Sequence, residues 1–167
     1  MKKVIFILVA MLGIASANAQ FKDSGLKTIV EVGLGASTAC ADGASAFGFI
    51  SPTVDLSIGA NLAPKFFLGG GVGYNTLLGA TNFEGTEHAV KAFAHGRCYF
   101  SSEGKGAIAD VKVGYNRNLT SKANAAEVFV GPGYLFGGKY NLSIGYTGTF
   151  YDGLSLHGGA LKFGIEF

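Results

Sequence analysis

Leu161-Lys162-Phe163-Gly164-Ile165-Glu166-Phe167 alternates without a break. In an extended chain, Leu161, Phe163, Ile165 and Phe167 point one way, and Lys162, Gly164 and Glu166 point the other. One face is wholly apolar, while the other carries both signs of charge. Such a strand needs a greasy medium on one side and a polar one on the other.

Seven more segments upstream repeat this period of two. Residues 27–37 set Val30, Val32, Leu34 and Ala36 against Glu31, Gly33 and Gly35. Residues 48–62 set Val54, Leu56, Ile58 and Ala60 against Asp55, Ser57, Gly59 and Asn61. Residues 65–77 set Phe66, Leu68, Val72 and Tyr74 against Gly69, Gly71, Gly73 and Asn75. Residues 88–101 set Val90, Ala92, Ala94, Cys98 and Phe100 against Lys91, Phe93, His95, Arg97 and Tyr99. In 107–117 the polar side is Asp110, Lys112 and Asn116. In 125–136 it is Glu127, Gly131 and Gly133, and in 140–151 it is Asn141, Ser143, Thr147 and Thr149. The last segment, 155–167, holds the stretch quoted above.

Each segment exceeds the usual strand of five or six residues. Each is long enough to cross a hydrocarbon layer when tilted, which takes about 9–11 residues. Connections near 63–64, 102–106 and 137–139 are short. Those near 38–47, 78–87 and 118–124 are longer and polar, as expected of inner turns and outer loops. The uncharged run Phe66–Phe83 could suggest a membrane helix, but Gly69-Gly70-Gly71, Gly73 and Asn75 oppose helix formation. The expected fold is all-β: an eight-stranded antiparallel up-and-down transmembrane β-barrel.

Composition agrees with this. Charged residues are 14% of the chain, Gly numbers 27 of 167 and Trp is absent. A soluble domain would carry nearer a quarter charged residues. Lys2 and Lys3, the apolar run Val4–Ile14 and Ala17-Asn18-Ala19 read as a signal peptide over 1–19, cleaved before Gln20. The barrel domain is then 20–167. Cleavage removes two lysines and no acid, which leaves 11 basic and 11 acidic side chains and a net charge near zero. No basic patch interleaved with aromatics points to nucleic acid.

The eight alternating strands and the ending Leu161–Phe167 resemble the small eight-stranded outer-membrane barrels, such as OmpX and the membrane domain of OmpA. The resemblance implies an outer-membrane location in a Gram-negative-type cell, with outer-membrane lipids as surroundings. It also implies that Leu161, Phe163, Ile165 and Phe167 form the signal read by the barrel-assembly machinery. The peptidoglycan-binding domain that follows the OmpA barrel has no counterpart in these residues, so no tethering role is expected. A monomer is expected.

The candidate functional residues are the charges on the polar faces. Glu31, Asp55, Asp110, Glu127 and Glu166 stand against Lys91, Arg97, Lys112 and Lys162, with His95 as a further cation. An eight-stranded barrel is narrow enough for side chains to fill, so a paired polar network plugging the lumen is expected. Phe93, His95, Arg97 and Tyr99 should lie over the glycine stripe Gly69, Gly71, Gly73. Tyr74 and Tyr115 suit an outer aromatic girdle, Tyr134 and Tyr140 an inner one.

No catalytic, cofactor or metal motif stands out. Gly33-x-Gly35 and Gly69-x-Gly71 lack a third glycine and a following helix, and His88, His95 and His157 are dispersed. Cys40, placed in an outer loop, and Cys98, placed near the other end, should be free thiols. The expected role is therefore non-enzymatic, structural or in surface interactions. The alternatives are a narrow porin-like channel for small solutes and a lipid A-modifying enzyme using Ser155 and His157, with Asp152 nearby.

Overall fold

In the computed structural model, the described residues are 25–40, 48–81, 85–101 and 105–167. The expected signal peptide lies outside them. The described chain is eight strands and no helix: β1 (Gly25–Cys40), β2 (Gly48–Ala63), β3 (Phe66–Thr81), β4 (Thr86–Tyr99), β5 (Gly106–Asn118), β6 (Asn124–Phe136), β7 (Tyr140–Tyr151) and β8 (Leu154–Glu166). Each strand pairs antiparallel with the next. β8 returns to β1 through a register running from Ile29↔Glu166 to Cys40↔Ser155, so the sheet closes. Phe167 extends the seam by exchanging backbone bonds with Thr28. Closure leaves no unpaired edge, the condition for β structure in hydrocarbon.

The alternation has the expected sense. Leu34, Ile58, Val72, Val113, Ile144, Leu161 and Phe163 are exposed on the outside, while Glu31, Asp55, Lys91, Arg97, Asp110, Lys112, Lys162 and Glu166 are inside and buried. The tyrosines Tyr74, Tyr115, Tyr134 and Tyr140 are exposed on the outer surface.

Strand ends differ from the sequence reading on one side. β1 runs on through Thr38 and Ala39 to Cys40, and β3 runs on to Thr81. The outer connections there shrink to 41–47 and 82–85, rather than 38–47 and 78–87. Weakly apolar Ser, Thr, Gly and Ala hide the alternation in these stretches, but the backbone ladder continues through them. Cys40 thus ends a strand instead of lying in a loop. Cys98 is a free thiol facing outward across from Phe66, near the inner turns. The connection from β7 to β8 is only Asp152-Gly153, made possible by a left-handed Gly153 (φ +74°).

The glycine stripe of β3 faces His95, Phe93 and Lys91 of β4 in register (Gly69↔His95, Gly71↔Phe93, Gly73↔Lys91). Arg97 and Tyr99, expected over the stripe as well, instead lie nearer the inner end, Arg97 opposite Phe67 and Tyr99 beside Lys65. A Cβ on Gly71 would lie 2.6 Å from the Phe93 ring and 2.5 Å from the Leu56 carbonyl oxygen. A Cβ on Gly73 would strike the Asp55 carboxylate. Missing side chains on β3 therefore make room for the aromatic and charged side chains that fill the bore.

Candidate functional site: the charged lumen

The lumen is built in layers. At the inner end Ile29, Phe67, Tyr99, Ile108 and Leu135 form a buried apolar cluster. At the outer end Ala39, Leu77 and Leu156 form another, with Phe49, Tyr151 and Leu154 against it. The charges lie between.

Arg97 on β4 is the centre of the inner charged layer and is wholly buried. Its guanidinium donates to Asp110 on β5 (Nε–Oδ1 2.5 Å, Nη2–Oδ2 2.9 Å), to Glu31 on β1 (2.8 Å) and to Glu166 on β8. Fixed, forked donors suit such multiple carboxylate bonds. Each carboxylate has a second donor. Ser143 Oγ donates to Asp110 at 2.7 Å, Lys112 donates to Glu31, and Glu166 accepts from Tyr99 and Lys27, each at 2.9 Å. His95 bridges Ser57 (2.9 Å) and Asp110 (3.1 Å).

The next layer outward surrounds Asp55. Its Oδ2 accepts from Lys112 and Lys162, both at 2.9 Å, and Lys91 Nζ lies 3.0 Å from Oδ1 without the alignment of a hydrogen bond. Lys91 instead donates to Glu127 at 2.8 Å, and Asn116 donates to the other oxygen of Glu127 at 2.8 Å. Phe129 and Phe93 offer ring faces to Lys162 (4.3 Å) and Lys112 (4.9 Å).

The structure thus brings all ten sequence-named charged or titratable groups to the inside. Sequence reasoning left out one member, Lys27, which is buried and bonded to Glu166. Its signal was present, since Lys27 shares the parity of Glu31, but it precedes the first apolar residue of its strand. With Lys27 included, Lys27, Lys91, Arg97, Lys112 and Lys162 balance Glu31, Asp55, Asp110, Glu127 and Glu166. Among the described residues no group of His, Cys, Asp or Glu is arranged to hold a metal ion.

No protein-family model and no curated protein sequence matches this chain. Its shape does match solved structures. The chain superposes on Ail, the attachment invasion locus protein of Yersinia pestis, with a TM-score of 0.58 at 10% identity, covering 84% of this chain and 98% of that one. It has the fold of a small outer-membrane β-barrel. Neisserial surface protein A gives a TM-score of 0.59 at 14% identity, covering 85% of this chain and 97% of that one. The N-terminal β-barrel domain of Pseudomonas aeruginosa OprF gives 0.51 at 14% identity, covering 86% and 99%. At these identities the likeness is of fold, and this barrel's lumen has to be read from its own residues.

A second cluster lies outside the barrel, at the outer end of β7 and β8. Ser155 Oγ is 2.9 Å from His157 Nε2, and His157 Nδ1 is 2.6 Å from the Tyr146 hydroxyl. Across the barrel Tyr74 and His88 repeat the Tyr–His contact at 2.6 Å, again between adjacent strands.

Proposed function

We propose that this chain is an integral outer-membrane protein of a Gram-negative-type cell, exported by the signal peptide at 1–19, with a non-enzymatic structural or surface-interaction role. Its lumen is a polar plug rather than a pore. One observation carries this reading: Arg97 binds carboxylates from three other strands across the bore. The space around the charges supports it. A cavity of about 10 Å³ lies among Lys91, Phe93, Lys112, Glu127, Phe129 and Lys162, at the lower limit for one water molecule. The exposed apolar exterior suits lipid as the surrounding partner. Leu161, Phe163 and Ile165 alternate along β8 and Phe167 follows its end, where they suit recognition by the barrel-assembly machinery. The barrel works as a monomer.

Two measurements test the reading. The mature protein should partition into the outer-membrane fraction, and in planar bilayers the purified barrel should pass no steady single-channel current. A reproducible open level would favour the porin-like alternative and remove the plug.

The second reading, a lipid A-modifying enzyme, is favoured by the contacts of His157. A hydroxyl nucleophile, a base in reach of it and a third group orienting the base are the parts of nucleophilic catalysis. The same Tyr–His contact at Tyr74 and His88 has no serine attached, which marks the pairing as a feature of the rim itself. Lipid A from cells expressing the wild type and Ser155→Ala should carry the same acyl chains. A chain lost only with the wild type would establish the enzyme.

A further inference from the structure

The charges of the two central layers of the lumen balance together but not layer by layer. The inner layer holds Arg97 and Lys27 against Glu31, Asp110 and Glu166, one negative charge in excess. The outer layer holds Lys91, Lys112 and Lys162 against Asp55 and Glu127, one positive charge in excess. Lys112 bridges the two by bonding both Glu31 and Asp55. The excess is concentrated at Lys162. Lys91 has Glu127 and Lys112 has Glu31, while Lys162 has a single side-chain hydrogen bond, to the Asp55 oxygen it shares with Lys112. An ammonium group has three donors, and Lys162 is 4% exposed.

Above this layer lies a larger cavity, about 30 Å³. Lys162 and Lys91 line its floor, and Ser37, Ser51, Thr53, Thr147 and Thr149 line its walls. Thr53 Oγ1 is buried with no hydrogen-bond partner. Glu127, the carboxylate that reaches the cavity, already has both oxygens engaged, by Lys91 and Asn116. Glu87, a further inward carboxylate, is bonded to Asn118 at 2.6 Å and does not line the space. Leu77 and Leu156 form the roof.

We propose that this chamber is a binding site for a small monovalent inorganic anion of the halide class, held by Lys162 and the surrounding hydroxyls. The charge sign fits, because the floor is net positive. The chemistry fits, because hydroxyl and ammonium donors can replace an anion's lost water, whereas an unpaired buried charge is costly. The size fits, because the space admits about two or three water-sized occupants, enough for chloride or bromide with a water and too little for a sugar or a phosphate ester. The anion neutralises the one lysine that the lumen's carboxylates serve least.

The test uses the full-length mature barrel, refolded in detergent, with unfolding followed by heat-dependent electrophoretic migration. A ligand that binds only the folded state raises the unfolding temperature. At matched ionic strength the midpoint should be several degrees higher in sodium chloride or bromide than in sodium gluconate. Lys162→Met removes the excess charge while keeping the stem, and it should abolish the difference. Thr53→Val keeps shape and charge, and should weaken the halide dependence by about tenfold, the loss expected for roughly one hydrogen bond to a charged group. Crystals soaked in bromide should show an anomalous peak beside Lys162. Equal midpoints in halide and gluconate, or a halide shift that survives in Lys162→Met, would overturn the proposal. So would a soaked chamber that holds water alone. If Lys162→Met fails to fold, the Thr53→Val titration and the bromide peak decide.

Discussion

Replacing Arg97 with methionine should stop the barrel from reaching its heat-resistant folded form. The substitution keeps an apolar stem of similar length and removes five donors. Asp110, Glu31 and Glu166 would then face one another across the bore, with Ser143, His95, Lys112, Tyr99 and Lys27 as their remaining partners. Removing one partner from a buried ion pair costs about 3–5 kcal/mol, because it strands the other charge. Here three carboxylates lose a partner at once, so the upper end of that range applies, a large fraction of a typical domain's stability. Arg97→Lys should recover only part of the loss, since a single ammonium cannot reproduce the fork that spans β1, β5 and β8. Urea unfolding in detergent micelles gives the ranking: wild type, then lysine, then methionine. Wild-type stability in Arg97→Met would show that the network is ornamental.

The second large effect concerns Gly71. A leucine there should impair assembly, because the new side chain meets two obstacles of different kinds. One is the Phe93 ring, 2.6 Å from the first added carbon. The other is the Leu56 carbonyl oxygen at 2.5 Å, which is fixed in the β2–β3 ladder and moves only if that ladder moves. Overpacking a tight interior costs about 1–3 kcal/mol and occasionally more, and a backbone obstacle places this site at the high end. Adding Phe93→Ala should rescue the variant in part, by clearing the ring but not the carbonyl. Electrophoresis of unheated samples reads the folded fraction directly. Normal folding of Gly71→Leu alone would remove the argument that the glycine stripe makes room for the bore's contents.

The strand count was legible because the medium imposes it. Lipid demands an apolar residue at every second position, and Leu161 to Phe167 meets that demand as plainly as any stretch of the chain. Where Ser37, Thr38 and Ala39 carry β1 outward, that demand relaxes near the headgroups, and the pattern fades before the strand does. The inward charges were legible for the same reason, since parity alone places Glu31, Asp55 and Lys112 inside. Their partners were not. Arg97 and Glu166 are 69 positions apart, and only the register and narrowness of the closed sheet bring them together. The share of Asp55 among three lysines, and the chamber above it, depend on side-chain reach across the bore, on which alternation is silent.

The bonds of Arg97 also bear on the order of events during biogenesis. Arg97 sits on β4, yet its carboxylates come from β1, β5 and β8, and Lys27 at the start of β1 waits for Glu166 on the same last strand. A sheet of the first seven strands therefore has an arginine short of one acid and a lysine without its carboxylate, both turned toward a bore that is still open to water. Neither group can be dehydrated cheaply until β8 arrives. The final strand is thus a chemical checkpoint as well as a seam. It completes the charge centre in the same step that closes the sheet, so a premature or frame-shifted closure is penalised in the lumen even when its lipid face looks correct.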